Sequence, residues 1–326
     1  MEIKQEFQLK GHGNHLVYDR SEDNRGQVYS VAISPDSKYI ISGSGDNTIR
    51  VWELTTGKHV RTLQGHEATV NSVAVSHDSK YIISGSGDNT VCVWELETGN
   101  LMHSLKGHKS SVESVAVSPD SKYIVSGSWD DTVRVWKLKT GKHIRTLKGN
   151  VVTVRSVEVS PDYKYIISGA SYNTIQLWEL ENGKLIRTLQ GQVYTWDGKV
   201  TVSPDPKWLF IVCSVAVSLD SKYIINGSGD HTICVWELAT GNKIRTLFGH
   251  ELYVNSVTVS PDGKYIVSGS SDKTVRVWEL ATGNHVHTLQ GHTDWVNSVA
   301  VSPDCKYIIS GSSDATVRVW KIITWA

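Results

Sequence analysis

Ser84-Gly85-Ser86-Gly87-Asp88-Asn89-Thr90-Val91-Cys92-Val93-Trp94 decides how the rest of the chain is read. It reads as the end of one β-strand, a turn, and the strand that follows. The stretch returns with small changes, and an aliphatic residue before a Trp closes each return. Those tryptophans are Trp52, Trp94, Trp136, Trp178, Trp236, Trp278 and Trp320. Their spacings are 42, 42, 42, 58, 42 and 42 residues, which is one period with 16 extra residues between the fourth and fifth units. Self-similarity at such a period marks a solenoid, a propeller or an array.

Working outward from Trp94, the second unit holds four runs with strand periodicity: Val70–Ser76, Tyr81–Ser86, Thr90–Leu96 and Leu101–Leu105. They are rich in Val, Ile, Tyr and Thr, which suit a pleated, half-buried surface. Ser-Pro-Asp or a close variant lies ahead of a Lys-Tyr pair, and proline fixes φ for a tight turn. Thr-Gly or Asn-Gly closes the last hairpin, where glycine takes positive φ. One such sheet cannot bury both of its apolar faces, whereas radial stacking buries each against a neighbour. The expected fold is therefore all-β: a seven-bladed propeller of four-stranded antiparallel blades, with residues 1–326 forming one domain.

The last unit stops soon after Trp320 and lacks a fourth strand. Glu6-Phe7-Gln8-Leu9-Lys10-Gly11-His12 matches Val60-Arg61-Thr62-Leu63-Gln64-Gly65-His66, so the N-terminal strand is expected to close the ring as the outer strand of blade 7. Insertions fall near 13–24 and 193–211. The second contains a near copy of a unit start, Val200-Thr201-Val202-Ser203-Pro204-Asp205, and a second start follows at Cys213. The later copy joins the rest of its blade by a short turn and is expected to take the strand position.

Lys plus Arg and Asp plus Glu number 33 each, so the formal net charge is zero. No global basic field draws in nucleic acid or an anionic membrane, and both are set aside as partners on that ground. No run is long and apolar enough to span a bilayer, and the N-terminus carries no signal-peptide pattern. Cys92, Cys213, Cys234 and Cys305 occupy positions that do not suit pairing. A reduced, cytoplasmic monomer is the expectation.

Gly-His, then Ser-Gly-Ser-x-Asp, then an aliphatic residue and Trp, resembles the WD40 repeat family over essentially the whole chain. The family's Trp-Asp is Trp-Glu here, as at Trp52-Glu53, or Trp-Lys, as at Trp136-Lys137. The resemblance implies a buried hydrogen-bonded His–Ser–Asp–Trp chain in each regular blade. The sets are His66, Ser84, Asp88 and Trp94; His108, Ser126, Asp130 and Trp136; His250, Ser268, Asp272 and Trp278; and His292, Ser310, Asp314 and Trp320. Blade 1 offers Ser42, Asp46 and Trp52, with His12 supplied from beyond 12 extra residues. Ser, His and Asp also make a hydrolase triad, but a triad needs no copy in five blades and no indole N–H.

Two adjacent units depart from the pattern. Blade 4 has Asn150 for His and Tyr172 for Asp, and blade 5 has Gln192 for His and Asn226 for Ser. Blade 4 also carries Glu158 where most units carry Ala. Drift explains these changes more simply than a specialised sector does. The Asp/Lys pairs of the first turns, Asp36/Lys38 through Asp304/Lys306, read as solvated turn residues. Arg61, Arg145, Arg187 and Arg245 on outer strands read as edge charges. His285 and His287 stand two apart on a strand, where equivalent units carry His59/Arg61, so decoration outweighs a metal site. No phosphate loop, nucleophile elbow or zinc-protease motif is present, and no cofactor is implied.

The WD40 resemblance implies a non-catalytic platform that docks protein or peptide partners on the face carrying the loop before the first strand and the loop between the second and third. There the sequence places Tyr29, Asn71, Glu113, Arg155, Cys213, Asn255 and Asn297 near the strand starts. Tyr29, Trp129, Arg155, Tyr172, Tyr253 and Trp295 are the candidate contact residues, joined by Trp196 and Trp208 of the long insertion. The alternatives are a small-molecule or glycan binder using the central channel, or a propeller enzyme. The enzyme would need converging ligands that inner strands of Val, Ala and Ser do not supply.

Overall fold

The computed structural model describes residues 1–13, 26–149, 153–171, 173–190 and 211–324. Within them 28 strands form seven four-stranded antiparallel sheets. Blade 2 consists of Val70–Val75, Tyr81–Ser86, Val91–Glu95 and Leu101–Leu105, in that order from the axis outward. The first strand of each unit packs beside the first strand of the next, and Val296–Val301 packs beside Val28–Ile33. The ring is therefore closed. In blade 5 the inner position is held by Val212–Val217, the later of the two competing copies. The insertions themselves, over 14–24 and 193–210, lie outside the described residues.

Closure follows the expected route. Glu2–Lys10 pairs antiparallel with Thr316–Thr324, with Leu9 opposite Val317 and Phe7 opposite Val319. The same segment ends in His12, which reaches the next blade. Its Nε2 lies 2.8 Å from Ser42 Oγ and its Nδ1 lies 2.9 Å from Asp46 Oδ2. The N-terminal segment thus completes blade 7 and blade 1 together.

The core lies between blades rather than within them. Ile83, Val91, Val93 and Leu105 of blade 2 meet Val112, Val115, Ile124, Trp136 and Leu138 of blade 3, all buried. Seven such clusters fill the seven interfaces. The Gly of each Ser-Gly-Ser makes this approach possible. A Cβ at Gly85 would stand 2.7 Å from Val112 Cγ1 of the next blade, inside van der Waals contact.

Most polar groups enter this core in bonded sets. In blade 2, Trp94 Nε1 donates to Ser84 Oγ at 2.9 Å, Ser84 Oγ lies 2.7 Å from His66 Nε2, and His66 Nδ1 lies 2.8 Å from Asp88 Oδ2. Asp88 also accepts from the Glu67 and Thr90 backbone N–H groups and the Thr90 hydroxyl. The sets on His108, His250 and His292 repeat this geometry. Burial pushes these carboxyls up, but the imidazole, hydroxyl and backbone donors outweigh it. Asp46, Asp88, Asp272 and Asp314 are held well below the ordinary carboxylate range. Each serine is fully buried and already receives an indole N–H, so it offers a substrate no approach.

The irregular blades keep the centre of this arrangement. Trp178 Nε1 donates to Ser168 Oγ at 2.9 Å in blade 4, and Trp236 Nε1 donates to Asn226 Oδ1 at 2.7 Å in blade 5. The indole donor is satisfied in both, because the longer Asn side chain presents its carbonyl oxygen where serine presents a hydroxyl. Asn150, Tyr172 and Gln192 lie outside the described residues.

The outer-strand arginines do more than charge an edge. Arg61 Nη1 donates to the carbonyls of Leu96 and Glu97 in the next blade. Arg145, Arg187 and Arg245 do the same to the blades that follow them. They staple neighbouring blades through the last hairpin. Among the described residues five of the seven Asp/Lys turns form solvent-facing ion pairs, as at Lys38–Asp36 (3.2 Å), and each Asp is bonded to its own turn.

Candidate functional site

A repeated irregularity at the axis builds the site. In all seven blades the pairing of the first two strands skips the second residue of the inner strand, between Val70 and Ser72 for example. A β-bulge of this kind re-aims the side chain it carries. The seven bulged residues are Tyr29, Asn71, Glu113, Arg155, Cys213, Asn255 and Asn297, and all line one cavity of about 510 Å³ at the mouth of the channel. Sequence repetition gives seven identical backbones here, and the side chains upon them all but abandon the repeat.

Just below the bulge, a ring of serines ties the blades together. Ser30 Oγ accepts from Val73 N at 3.0 Å, Ser72 Oγ from Val115 N at 3.1 Å, and Ser114 Oγ from Val157 N at 3.0 Å. Ser156, Ser214 and Ser256 continue the series, and Ser298 accepts from Val31 N at 3.0 Å to complete the circle. The mouth is therefore a rigid frame. Nothing in the resemblance singled out these serines, although their recurrence at one repeat position was visible.

The cavity wall is uneven in chemistry. Asn71 Nδ2 donates to Ser111 Oγ at 2.9 Å and to Val112 O at 3.1 Å in the next blade. Asn255 and Asn297 likewise donate across to Val296 O and Val28 O, each at 3.0 Å. Glu113 accepts from the Ser111 hydroxyl at 2.7 Å. Burial pushes its carboxyl up, against that bond and the Arg155 charge. Burial also raises the Tyr29 phenol, helped by Glu113, and pushes the Cys213 thiol up to about 12, so both stay neutral.

Three of the candidate contact residues meet here: Tyr29, Trp129 and Arg155 all line the cavity. The Arg155 guanidinium lies 5.6 Å from the Trp129 ring centroid. Trp129 sits on the turn after the second strand, its N–H donating to Ser111 O, where other blades carry Gly45, Gly87 or Ser271. Tyr253 and Trp295 are not part of the lining. Each immediately precedes an inner strand on the same rim, 44% and 54% exposed respectively. Tyr172, Trp196 and Trp208 lie outside the described residues. Glu158 lies further along its inner strand, at the position of Ala74 and Ala116, and burial pushes it up to about 7. Among the described residues no three His, Cys, Asp or Glu side chains converge as a metal site would require, and His285 bonds instead to Thr288. None of the four cysteines is part of a disulfide. Among the described residues no helix is long and apolar enough to cross a membrane.

A family model described as WD domain, G-beta repeat matches residues 4–53, 57–95, 99–137, 141–179, 183–237, 241–279 and 283–321. Among curated relatives, "U3 snoRNP-associated protein-like YAO" of Arabidopsis thaliana is 32% identical over 63 residues, 19% of this chain and 12% of that protein. "Ribosome biogenesis protein BOP1 homolog" of Drosophila grimshawi is 47% identical over 52 residues, 16% of this chain and 6% of that protein. Its Drosophila melanogaster counterpart is 48% identical over 40 residues, 12% of this chain and 5% of that protein. The matches thus span small parts of much longer relatives. Their names overturn two expectations, the exclusion of nucleic acid from the partners and the cytoplasmic placement. A zero net charge describes only the far field, and a ribonucleoprotein also presents protein surfaces. Cysteines outside disulfides do not single out one compartment.

Proposed function

This chain belongs to the WD domain, G-beta repeat family, and from that premise we propose that it is a non-catalytic docking platform. Its contact face is the rim around the channel mouth, and its partners are proteins or peptides that belong to RNA-containing assemblies. The observation that carries the reading is the contrast at the rim. A frame closed by seven inter-blade hydrogen bonds holds Trp129, Tyr253 and Trp295, all large and half-exposed. Side chains on a rigid frame lose little freedom on binding, and large aromatics dominate interface energetics. The relatives' names support the RNA-containing setting of those partners.

The reading is tested by replacing Tyr253 and Trp295 together with Ala. Capture of ribonucleoprotein components from native lysate should fall to background while the melting temperature stays near that of the parent. Unchanged capture would remove this part of the rim from the contact face.

A further inference from the structure

The channel mouth combines one cationic side chain with several unused acceptors, and Arg155 is that cation. The bulge aims it into the cavity, and its Cζ lies over the Trp129 ring, 5.6 Å from the centroid. Its Nε is buried and meets no hydrogen-bond partner, and no ion pair to it is found among the described residues. Glu113, the acid on the neighbouring blade, turns its Oε1 to the Ser111 hydroxyl and the Asn71 amide instead. A guanidinium held in place and left without an acceptor among the described residues is a fork awaiting a planar anion.

The opposite wall narrows what that anion belongs to. Asn255 and Asn297 spend their amide nitrogens on backbone and serine oxygens, in the next blade and their own. Their carbonyl oxygens, which accept no bond among the described residues, suit N–H donors. A peptide presents such donors along its backbone beside an acidic side chain. A phosphodiester has no donor to offer that wall, where its acceptors would face acceptors.

Resting on the docking reading above, we propose that the channel mouth is a carboxylate receptor, in which Arg155 grips an aspartate or glutamate side chain of the docked partner. Trp129 is a positioning residue in this arrangement, since it packs against the guanidinium rather than touching the anion.

The test is calorimetric titration of the full chain with acetyl-Ala-Glu-Ala-Glu-Ala-amide, its Gln counterpart and oligouridylate. The glutamate peptide should bind, and its affinity should fall about tenfold or more with the Gln peptide and with Arg155→Met, as loss of a bidentate charge-assisted pair demands. Arg155→Lys should recover only part, because an ammonium keeps the charge and loses the fork. Where Arg155→Met lowers the melting temperature, Arg155→Gln is read instead. Equal binding of both peptides, indifference to the Arg155 variants, or absence of glutamate-peptide binding at millimolar concentration overturns the proposal. So does displacement of the glutamate peptide by oligouridylate in an Arg155-dependent manner, which would make the site a phosphate receptor. Loss of capture in the Tyr253→Ala, Trp295→Ala variant beside a silent glutamate peptide would leave the docking reading intact and remove this one alone.

Discussion

Glu158 is where one residue departs furthest from its repeat. Six equivalent positions carry Ala32, Ala74, Ala116, Ala216, Thr258 and Ala300, none of them ionisable. Its carboxyl, which among the described residues accepts a hydrogen bond only from the adjacent Val159 N–H at 3.3 Å, is pushed from 4.5 up to about 7 by burial. A folded value above the unfolded one means the folded chain favours the protonated form. The resulting cost is absent below the unfolded value, sets in as pH rises, and is complete above the folded one. Glu158→Ala should therefore stabilise the protein by about 1–3 kcal/mol at pH 8 and by little at pH 5. Thermal melts at the two pH values check this, and an equal shift at both would mean that the charge is not the cause. The position was legible in the sequence because a repeat displays its own exceptions. What a lone carboxyl meets there was not legible, since that depends on the strands packed around it. The same limit applies to the outer-strand arginines. Their recurrence is visible in sequence, but the carbonyls they reach belong to the next blade, some 35 residues away.

The N-terminal strand shows what a single element is worth. Its pairing with Thr316–Thr324 could be read from seven matched residues, and the count of strands demanded it. The match of His12 with His66 likewise carried the reach of the segment into blade 1. Removing residues 1–12 therefore strips blade 7 of its edge strand and leaves Ser42 and Asp46 without their imidazole. The unsatisfied buried groups alone cost about 1–3 kcal/mol, and the uncovered strand is a template for pairing with another chain. The truncated protein should lose more than about 5 °C of melting temperature and should associate in sedimentation experiments. A monomer with the parental melting temperature would falsify the idea that this strand seals the ring. The bulge on every inner strand, by contrast, left no mark in the sequence pattern. An extra residue in a ladder is a property of two strands at once.

For the molecule as a whole, the place where the chain starts is one seam among seven equivalent ones. Glu2 N lies 3.2 Å from Thr324 Oγ1, so a short glycine linker can join residue 324 to residue 2. Opening the chain instead at the Thr98–Asn100 turn would give a permutant in which Leu101–Leu105 plays the sealing strand. It should melt within about 5 °C of the parent, because chain breaks at exposed turns are tolerated; failure to fold would show that the native seam is special. The serine ring carries a further consequence. Its bonds join residues 43 apart in regular blades, yet 59 apart across the insertion, at unchanged length. In the same way His12 lies 30 residues from its serine where His66 lies 18 from its own. The ring thus measures angle and ignores contour length. Chain can be spliced in or out above the rim without altering the turn made at each blade, so the rim's vocabulary is free to change while the wheel beneath it keeps the same seven spokes.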